Sequence, residues 1–308
     1  MNARYLTASS VEEAVAAMAA GARPIAGGTD LVVGARHGKS PLPAALVGIH
    51  RIRGLDAIDG FDDADGGIAP GGRRVRIGAL VTHQAIVAHP GILTRFTGLA
   101  DASAIVGSHA TRANGTLGGN VMNASPAMDT GAPLLCHGAV AVLHGPAGGR
   151  AVALDALWTA PGRVAASADE LLVAVELPEP AAGTGSAYVR LQYRRQMEIA
   201  IVGAAAVVTV VDGVVTDARI AIAALAPVIH RVPDAEAALI GTDGGPDVVA
   251  TAARSAAAAA RPISDVRGSA DYRRAMAAVI TRRAIAVAIT RAGGGHVPVP
   301  ASDSTYGS

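Results

Sequence analysis

Cysteine occurs once in the 308 residues, as Cys136. That excludes an internal disulfide, and an iron–sulfur cluster held by this chain alone, which takes about four thiolates. A lone cysteine also fits a reducing, cytoplasmic compartment. Aromatic residues make up 3% of the chain, leaving no platform on which bases could stack. Net charge is +1, without a long basic block, so neither nucleic acid nor a membrane surface is an expected partner. The longest apolar run, IAIVGAAAVVTVV at 199–211, falls short of the about 20 residues a helix needs to span a bilayer. Glu12 and Glu13 stand where a signal peptide would be apolar. There is no G-x-G-x-x-G or phosphate-loop motif at a strand–helix junction, no histidine pair at metalloprotease spacing and no G-x-S-x-G. The histidines are scattered, and His109 and His137 read as structural or solvent-facing rather than as ligands.

What is present is small and aliphatic: 51% of residues are hydrophobic and 37 are glycine. The length exceeds what one core usually fills, so two domains are expected. Ser9 or Ser10 starts a helix over SVEEAVAAMAAG. RPIAGG is a short buried strand, LVVGARHG a helix that Asp30 would cap, and LVGIHRI at 46–52 another strand. Residues 60–74 are turn-rich and mark a seam or an exposed hairpin. A strand and a Thr82-started helix follow in VRIGALVTHQAIVAHP, then a helix in LADASAIVG. Residues 108–145 read as a long polar connection ending in a strand, and such loops usually carry function. ELLVAVELPEP is a strand, and 178–187 is the domain boundary. Beyond it come a strand (SAYVRLQYRR), a hairpin turning at Asp212-Gly213, and two helices. The segment after residue 292 reads as a flexible tail.

Two glycine pairs differ from ordinary turns. Gly27-Gly28 follows a buried strand and precedes Thr29, Asp30 and a helix; Gly118-Gly119 lies in GTLGGNVMNASPAMD, crowded with small hydrogen-bonding residues. Glycine admits the dihedrals that turn several N–H groups toward one anion, and it removes the Cβ that would hold a diphosphate away. Asp30 would be repelled by phosphates, so its carboxylate should cap the helix or reach a hydroxyl.

AGGTDL at 26–31, TLGGN at 116–120 and ASPAMD at 124–129 together resemble the FAD-binding medium subunit of the molybdenum hydroxylases, the family of the carbon monoxide dehydrogenase medium chain and the xanthine dehydrogenase flavin segment. YLTASSVEEAV, IGALVTH, ELLVAVELP, RRQMEIAIVGAAA and SDVRGSADYRR match in order, over about residues 1–290. The resemblance implies an α+β chain. An FAD domain of the vanillyl-alcohol-oxidase (PCMH) type would span 1–178, with subdomains of about 1–58 and 59–178. A C-terminal α+β domain at 185–292 would pack an antiparallel sheet on helices, and 293–308 would be tail. It implies non-covalent FAD, since the first loop offers no histidine. Main chain from Ile25, Ala26, Gly27, Gly28, Thr29, Asp30 and Leu31 would wrap the pyrophosphate. Thr116, Leu117, Gly118, Gly119 and Asn120 would face it. Val106 would lie near the flavin, Ala124 and Ser125 would line the cleft, and Asp129 would hydrogen-bond the adenosine or ribityl part, so that Asp129→Ala weakens FAD without unfolding the chain. Leu171 would give an apolar contact. Arg190 takes the place of a family lysine near the isoalloxazine; it either stabilises reduced flavin, points away with Tyr193 covering the ring, or is plain exposed strand. No side chain is expected to be catalytic in its own right.

The partners so implied are a small subunit with two 2Fe–2S clusters and a large molybdenum-pterin subunit, assembled as a dimer of heterotrimers. The chain would pass electrons from the clusters to an external acceptor. The competing enzyme reading is a self-contained FAD oxidase or dehydrogenase.

Overall fold

The computed structural model describes residues 4–38, 40–61 and 72–305. Most of the turn-rich 60–74 stretch therefore lies outside the described residues. The chain begins with β1 (Arg4–Thr7), α1 (Val11–Ala19), β2 (Arg23–Ile25), α2 (Leu31–Arg36) and β3 (Ala45–Gly48). Its three strands form a parallel sheet in the order β1-β3-β2. Helix α1 starts as its sequence predicts: Ser10 Oγ accepts from Glu13 N–H at 3.1 Å, and Glu13 reaches back to Ser9 N–H at 2.8 Å.

Next come β4 (Ile58–Asp59), β5 (Arg74–Gly78), α3 (His83–Ala88), α4 (Pro90–Arg95), α5 (Thr97–Ala104), α6 (His109–Asn114), α7 (Leu117–Asn123) and α8 (Gly131–Cys136). β6 (Val140–Gly145), β7 (Gly148–Ala153), α9 (Leu154–Leu157), β8 (Trp158–Ala160), β9 (Arg163–Val164) and β10 (Leu171–Pro178) complete this part. Five strands pair antiparallel in the order β4-β5-β10-β6-β7. The polar connection expected at 108–145 is instead three short helices ahead of β6. Side-chain caps start two of them, Ser108 Oγ at Thr111 N–H and Thr116 Oγ1 at Gly119 N–H.

The last part holds β11 (Thr184–Leu191), β12 (Val202–Val211), β13 (Val214–Ala223), β14 (His230–Arg231), α10 (Pro233–Leu239), α11 (Pro246–Ala259), α12 (Ala270–Ala292) and α13 (Ala301–Ser304). Its strands run β11-β12-β13-β14, all antiparallel. The hairpin turns at Asp212 (φ 51°) and Gly213 (φ 79°), the two left-handed residues that a tight primed turn requires.

This sheet is apolar on both faces, which is why its strands read as near-continuous Ala/Val runs. Ala204, Ala206 and Val208 pack with α10–α12, whereas Ala205 and Val207 join Phe96, Leu99 and Leu134 of the preceding part. Small side chains suit this middle layer. At about 25 cal/mol per Å² of apolar area, one face of the sheet holds its own helices and the other holds the preceding part. A third, smaller core joins α1 to Leu171 and Val173 of β10.

The expected tail departs from its composition. Ala301 and Ser302 of α13 are fully buried. Ala301 N–H donates to Asp101 at 2.9 Å, and Ser302 Oγ accepts from Arg190 N–H at 3.0 Å. Glycine, proline and serine around them mask two residues small enough to enter the interface. No helix among the described residues is long and apolar enough to cross a membrane.

Candidate functional site

The first glycine loop leaves the parallel sheet where Ile49 N–H donates to the Ile25 carbonyl. Gly28 takes φ 68°, and its carbonyl accepts from Val32 N–H at 2.9 Å to open α2. Among the described residues, the N–H groups of Gly27, Gly28 and Thr29 donate to no protein acceptor. Consecutive unspent donors at a tight, half-exposed turn are the ingredients of an anion nest. Asp30 stands at the N-cap position with a helical backbone (φ −91°, ψ −45°) and does not cap α2, contrary to the sequence expectation. A capping residue is extended, which brings its oxygen over the first turn; a helical one cannot do this.

The second loop is built differently. His83 N–H donates to the Gly115 carbonyl, Leu117 N–H to Val81 and Gly118 N–H to Ala79, at 2.9 to 3.1 Å. Thr116 takes the N–H groups of Gly119 and Asn120 through its hydroxyl and its carbonyl. So the main-chain donors from Leu117 to Asn120 are spent inside the protein, whereas those of Gly27, Gly28 and Thr29 are not. The two glycines also separate in role. A Cβ on Gly118 would stand 2.6 Å from the Ala79 carbonyl oxygen, so that glycine serves close packing. Gly119 is exposed, and a Cβ there would meet only Thr116 Oγ1, at 3.1 Å. Gly118→Ala is therefore expected to cost about 1–3 kcal/mol of stability, read from urea unfolding. Gly119→Val should leave stability nearly unchanged and act only on what approaches that face.

The two loops touch. A Cβ on Gly27 would overlap the Asn114 carbonyl, and one on Gly115 would lie 3.5 Å from both Thr29 Oγ1 and His83 Cδ2. The free donors of the first loop thus lie beside the turn at Asn114 and Gly115 that leads into the second. Leu171 lies in the small core against which Ala26 packs. Ala124 ends α7 in the left-handed region (φ 48°), and Ser125 Oγ accepts from Ala127 N–H at 3.3 Å. Asn120 Oδ1 accepts from the Thr130 hydroxyl at 2.6 Å.

Asp129 and Arg190 meet directly. Arg190 Nη1 lies 2.7 Å from Asp129 Oδ2, and Tyr188 donates its hydroxyl to Asp129 Oδ1 at 2.9 Å. Burial raises the Asp129 carboxyl, and Arg190 and Tyr188 draw it back down. Arg190 is fully buried and also donates to the Ile105 and Glu198 carbonyls and to the Gln192 side chain. The exposed-strand reading of Arg190 is thus overturned: β11 is a covered edge, and its cation is matched from the other domain. Tyr193 is exposed, with its hydroxyl donating to the Arg267 carbonyl at 2.7 Å. Val106 is half-buried beside Ile105, its carbonyl accepting from Arg112 Nη1 at 3.1 Å.

Comparison with known proteins shows which family the chain belongs to. Residues 1–180 match the family described as FAD binding domain in molybdopterin dehydrogenase, and residues 187–288 match the carbon monoxide dehydrogenase flavoprotein C-terminal domain. The chain belongs to the flavin-subunit family of the molybdenum hydroxylases. The carbon monoxide dehydrogenase medium chain of Hydrogenophaga pseudoflava is 31% identical over 290 residues, covering 93% of this chain and 97% of that one. A putative xanthine dehydrogenase FAD-binding subunit of Escherichia coli is 27% identical over 295 residues, covering 95% and 98%. Among solved structures, carbon monoxide dehydrogenase from H. pseudoflava superposes with TM-score 0.87 at 32% identity, covering 94% of this chain and 98% of the other. Quinoline 2-oxidoreductase from Pseudomonas putida gives 0.84 at 28% identity, covering 95% and 98%.

The family's cofactor fits the residues present. The first loop supplies unspent N–H donors with no Cβ at two successive positions, which suits a diphosphate. Among the described residues there is no His/Cys/Asp/Glu group able to hold a metal, and Cys136 is buried with its thiol pushed well up by desolvation.

Sequence reasoning missed His83, the buried ring beneath the second loop, whose only sequence signal was its place after the Thr82 cap. Burial, with Arg112 nearby, pushes His83 down to about 4, and burial pushes His137 down to about 3. Both are neutral in the folded protein near pH 7, while an unfolded histidine titrates near about 6.5. Between these values the unfolded chain binds more protons, so stability is full above about pH 6.5 and falls as pH drops toward 4 and below. Urea midpoints should therefore fall from pH 7 to about pH 4.5, and less so in His137→Phe.

Proposed function

We propose that this chain is the FAD-carrying electron-transfer subunit of a heterotrimeric molybdenum hydroxylase. It takes electrons from the 2Fe–2S clusters of a small partner subunit and passes them to an external acceptor, while a large molybdenum-pterin subunit oxidises the substrate. The observation that carries this reading is the match of both parts of the chain, at nearly full length, to medium and FAD-binding subunits. Assembly as a dimer of heterotrimers and a cytoplasmic location complete the proposal. A self-contained oxidase is not favoured, because the similar chains are named as subunits or medium chains.

FAD, held non-covalently, supplies redox chemistry that links one-electron carriers to a two-electron acceptor. The chain's own work is binding and orientation. Gly27, Gly28 and Thr29 direct N–H groups at the diphosphate, with Ile25, Ala26, Asp30 and Leu31 carrying the turn. The open face at Gly119, flanked by Thr116, Leu117, Gly118 and Asn120, lets the cofactor lie close. Ala124, Ser125, Val106 and Leu171 shape the cleft. Asp129 and Arg190, already bound to each other, fix the seam between an FAD domain of the vanillyl-alcohol-oxidase (PCMH) type at 1–178 and the C-terminal domain at 185–292.

The test is purification from the native host. FAD released by heating, together with one iron–sulfur and one molybdenum partner chain, is the expected result. FAD without partners would overturn the subunit assignment, and a colourless assembled protein would overturn the flavin assignment.

A further inference from the structure

A second cavity, of about 390 Å³, lies where α3, α5 and α6 meet the 192–199 segment and α13. None of residues 25–31 or 116–120 lines it. Its size falls within the range of small-ligand sites. Two arginines, Arg112 and Arg195, face it against a single carboxylate, Asp303.

Arg112 is the unusual member. It is 7% exposed, donates to the Val106 carbonyl and contacts His109 Nδ1 at 3.1 Å, yet no ion pair among the described residues includes it. The other deeply buried arginines are each seated on a carboxylate: Arg190 on Asp129, Arg273 on Asp265 and Arg291 on Asp101. A buried cation without an anion is costly, and proteins tolerate it where a ligand completes the pair. The remaining wall holds an apolar side, Val87, Ala104, Ile105 and Pro300, and three polar groups, Gln84, His109 and Gln196, that can orient a polar ligand atom.

We propose that this cavity binds a small organic anion, a carboxylate or phosphate on an apolar body, with its charge facing Arg112 and Arg195 and its body against Val87, Ile105 and Pro300. Nothing in this assignment rests on the flavin. Asp303 opposes the anion and so limits its affinity.

Calorimetric titration of the FAD-loaded protein tests this, since the glycine loops are then filled and cannot capture a phosphate. The probes are phenylphosphate and benzoate, with phenol as the neutral match. One molecule of an anionic probe should bind saturably per chain, and phenol should not. Arg195→Ala should weaken binding at least about tenfold, the effect of losing a charge-assisted hydrogen bond. Asp303→Asn should tighten it. Both side chains are exposed, so both variants should keep the parent's unfolding midpoint. Absence of saturable binding by either anion, equal binding of phenol, or affinities that neither substitution changes would overturn the proposal.

Discussion

Asp129→Ala is expected to lower the unfolding free energy by about 3–5 kcal/mol, because it removes the carboxylate that pairs at 2.7 Å with the fully buried Arg190 guanidinium. Arg190 has no solvent exposure, and Asp129 is 7% exposed, so neither group can turn to water. The loss extends beyond one ion pair. Tyr188, also fully buried, would lose its hydroxyl's bond to Asp129. Arg190→Ala should cost a similar amount by leaving the carboxylate uncompensated. The double replacement Asp129→Leu with Arg190→Met should recover most of it, since apolar side chains of similar volume remove both desolvation penalties. Urea unfolding of the FAD-loaded protein measures all three, and single variants within about 0.5 kcal/mol of the parent would show that the pair is not desolvated as described. The structure thus adds a stability role to a residue that the sequence placed only beside the cofactor.

Gly27→Val should abolish FAD retention while leaving the C-terminal domain folded. A Cβ there stands 2.6 Å from the Asn114 carbonyl carbon, closer than side-chain carbons are found, and the obstacle is backbone. The first loop must then draw back from Asn114, and its three unspent donors move with it. Gly119→Val is the companion variant: its Cβ meets only the Thr116 hydroxyl, at 3.1 Å, and its branch is expected to obstruct the exposed face. Flavin-to-protein ratio after gel filtration is the measurement. Full flavin in Gly27→Val would mean that contact between the loops is not what holds the cofactor.

How much of this was legible beforehand depends on the range of the forces involved. Local chemistry was read correctly where it decides the outcome: the Ser10 cap, the Thr82 cap and the Asp212-Gly213 turn each rest on residues within four positions. The family resemblance was legible because its motifs recur in order. Helices α6, α7 and α8 were missed because segments of six or seven residues are too short to be helical on their own, and α7 carries two glycines and two asparagines besides. They form because α3, β10 and the β11–β14 sheet hold them, although the Ser108 and Thr116 caps were a usable clue. That Gly118 and Gly119 differ could not be seen, since Ala79 approaches one and not the other. Arg190 looked like exposed strand because its partner lies 61 residues away and its covering segment lies further still.

The ion pair of Asp101 with Arg291 has a consequence for how the protein assembles itself. Asp101 accepts from Arg291 across 190 positions and from Ala301 across 200. Loop closure over such spans costs chain entropy before any bond repays it, so these contacts belong to the slow end of the folding reaction. During synthesis the FAD domain emerges with Asp101 and Asp129 still waiting for the arginines that neutralise them. Arg190 reaches Asp129 first, and the interior stays electrostatically unfinished at Asp101 until α12 and the segment after it have left the ribosome.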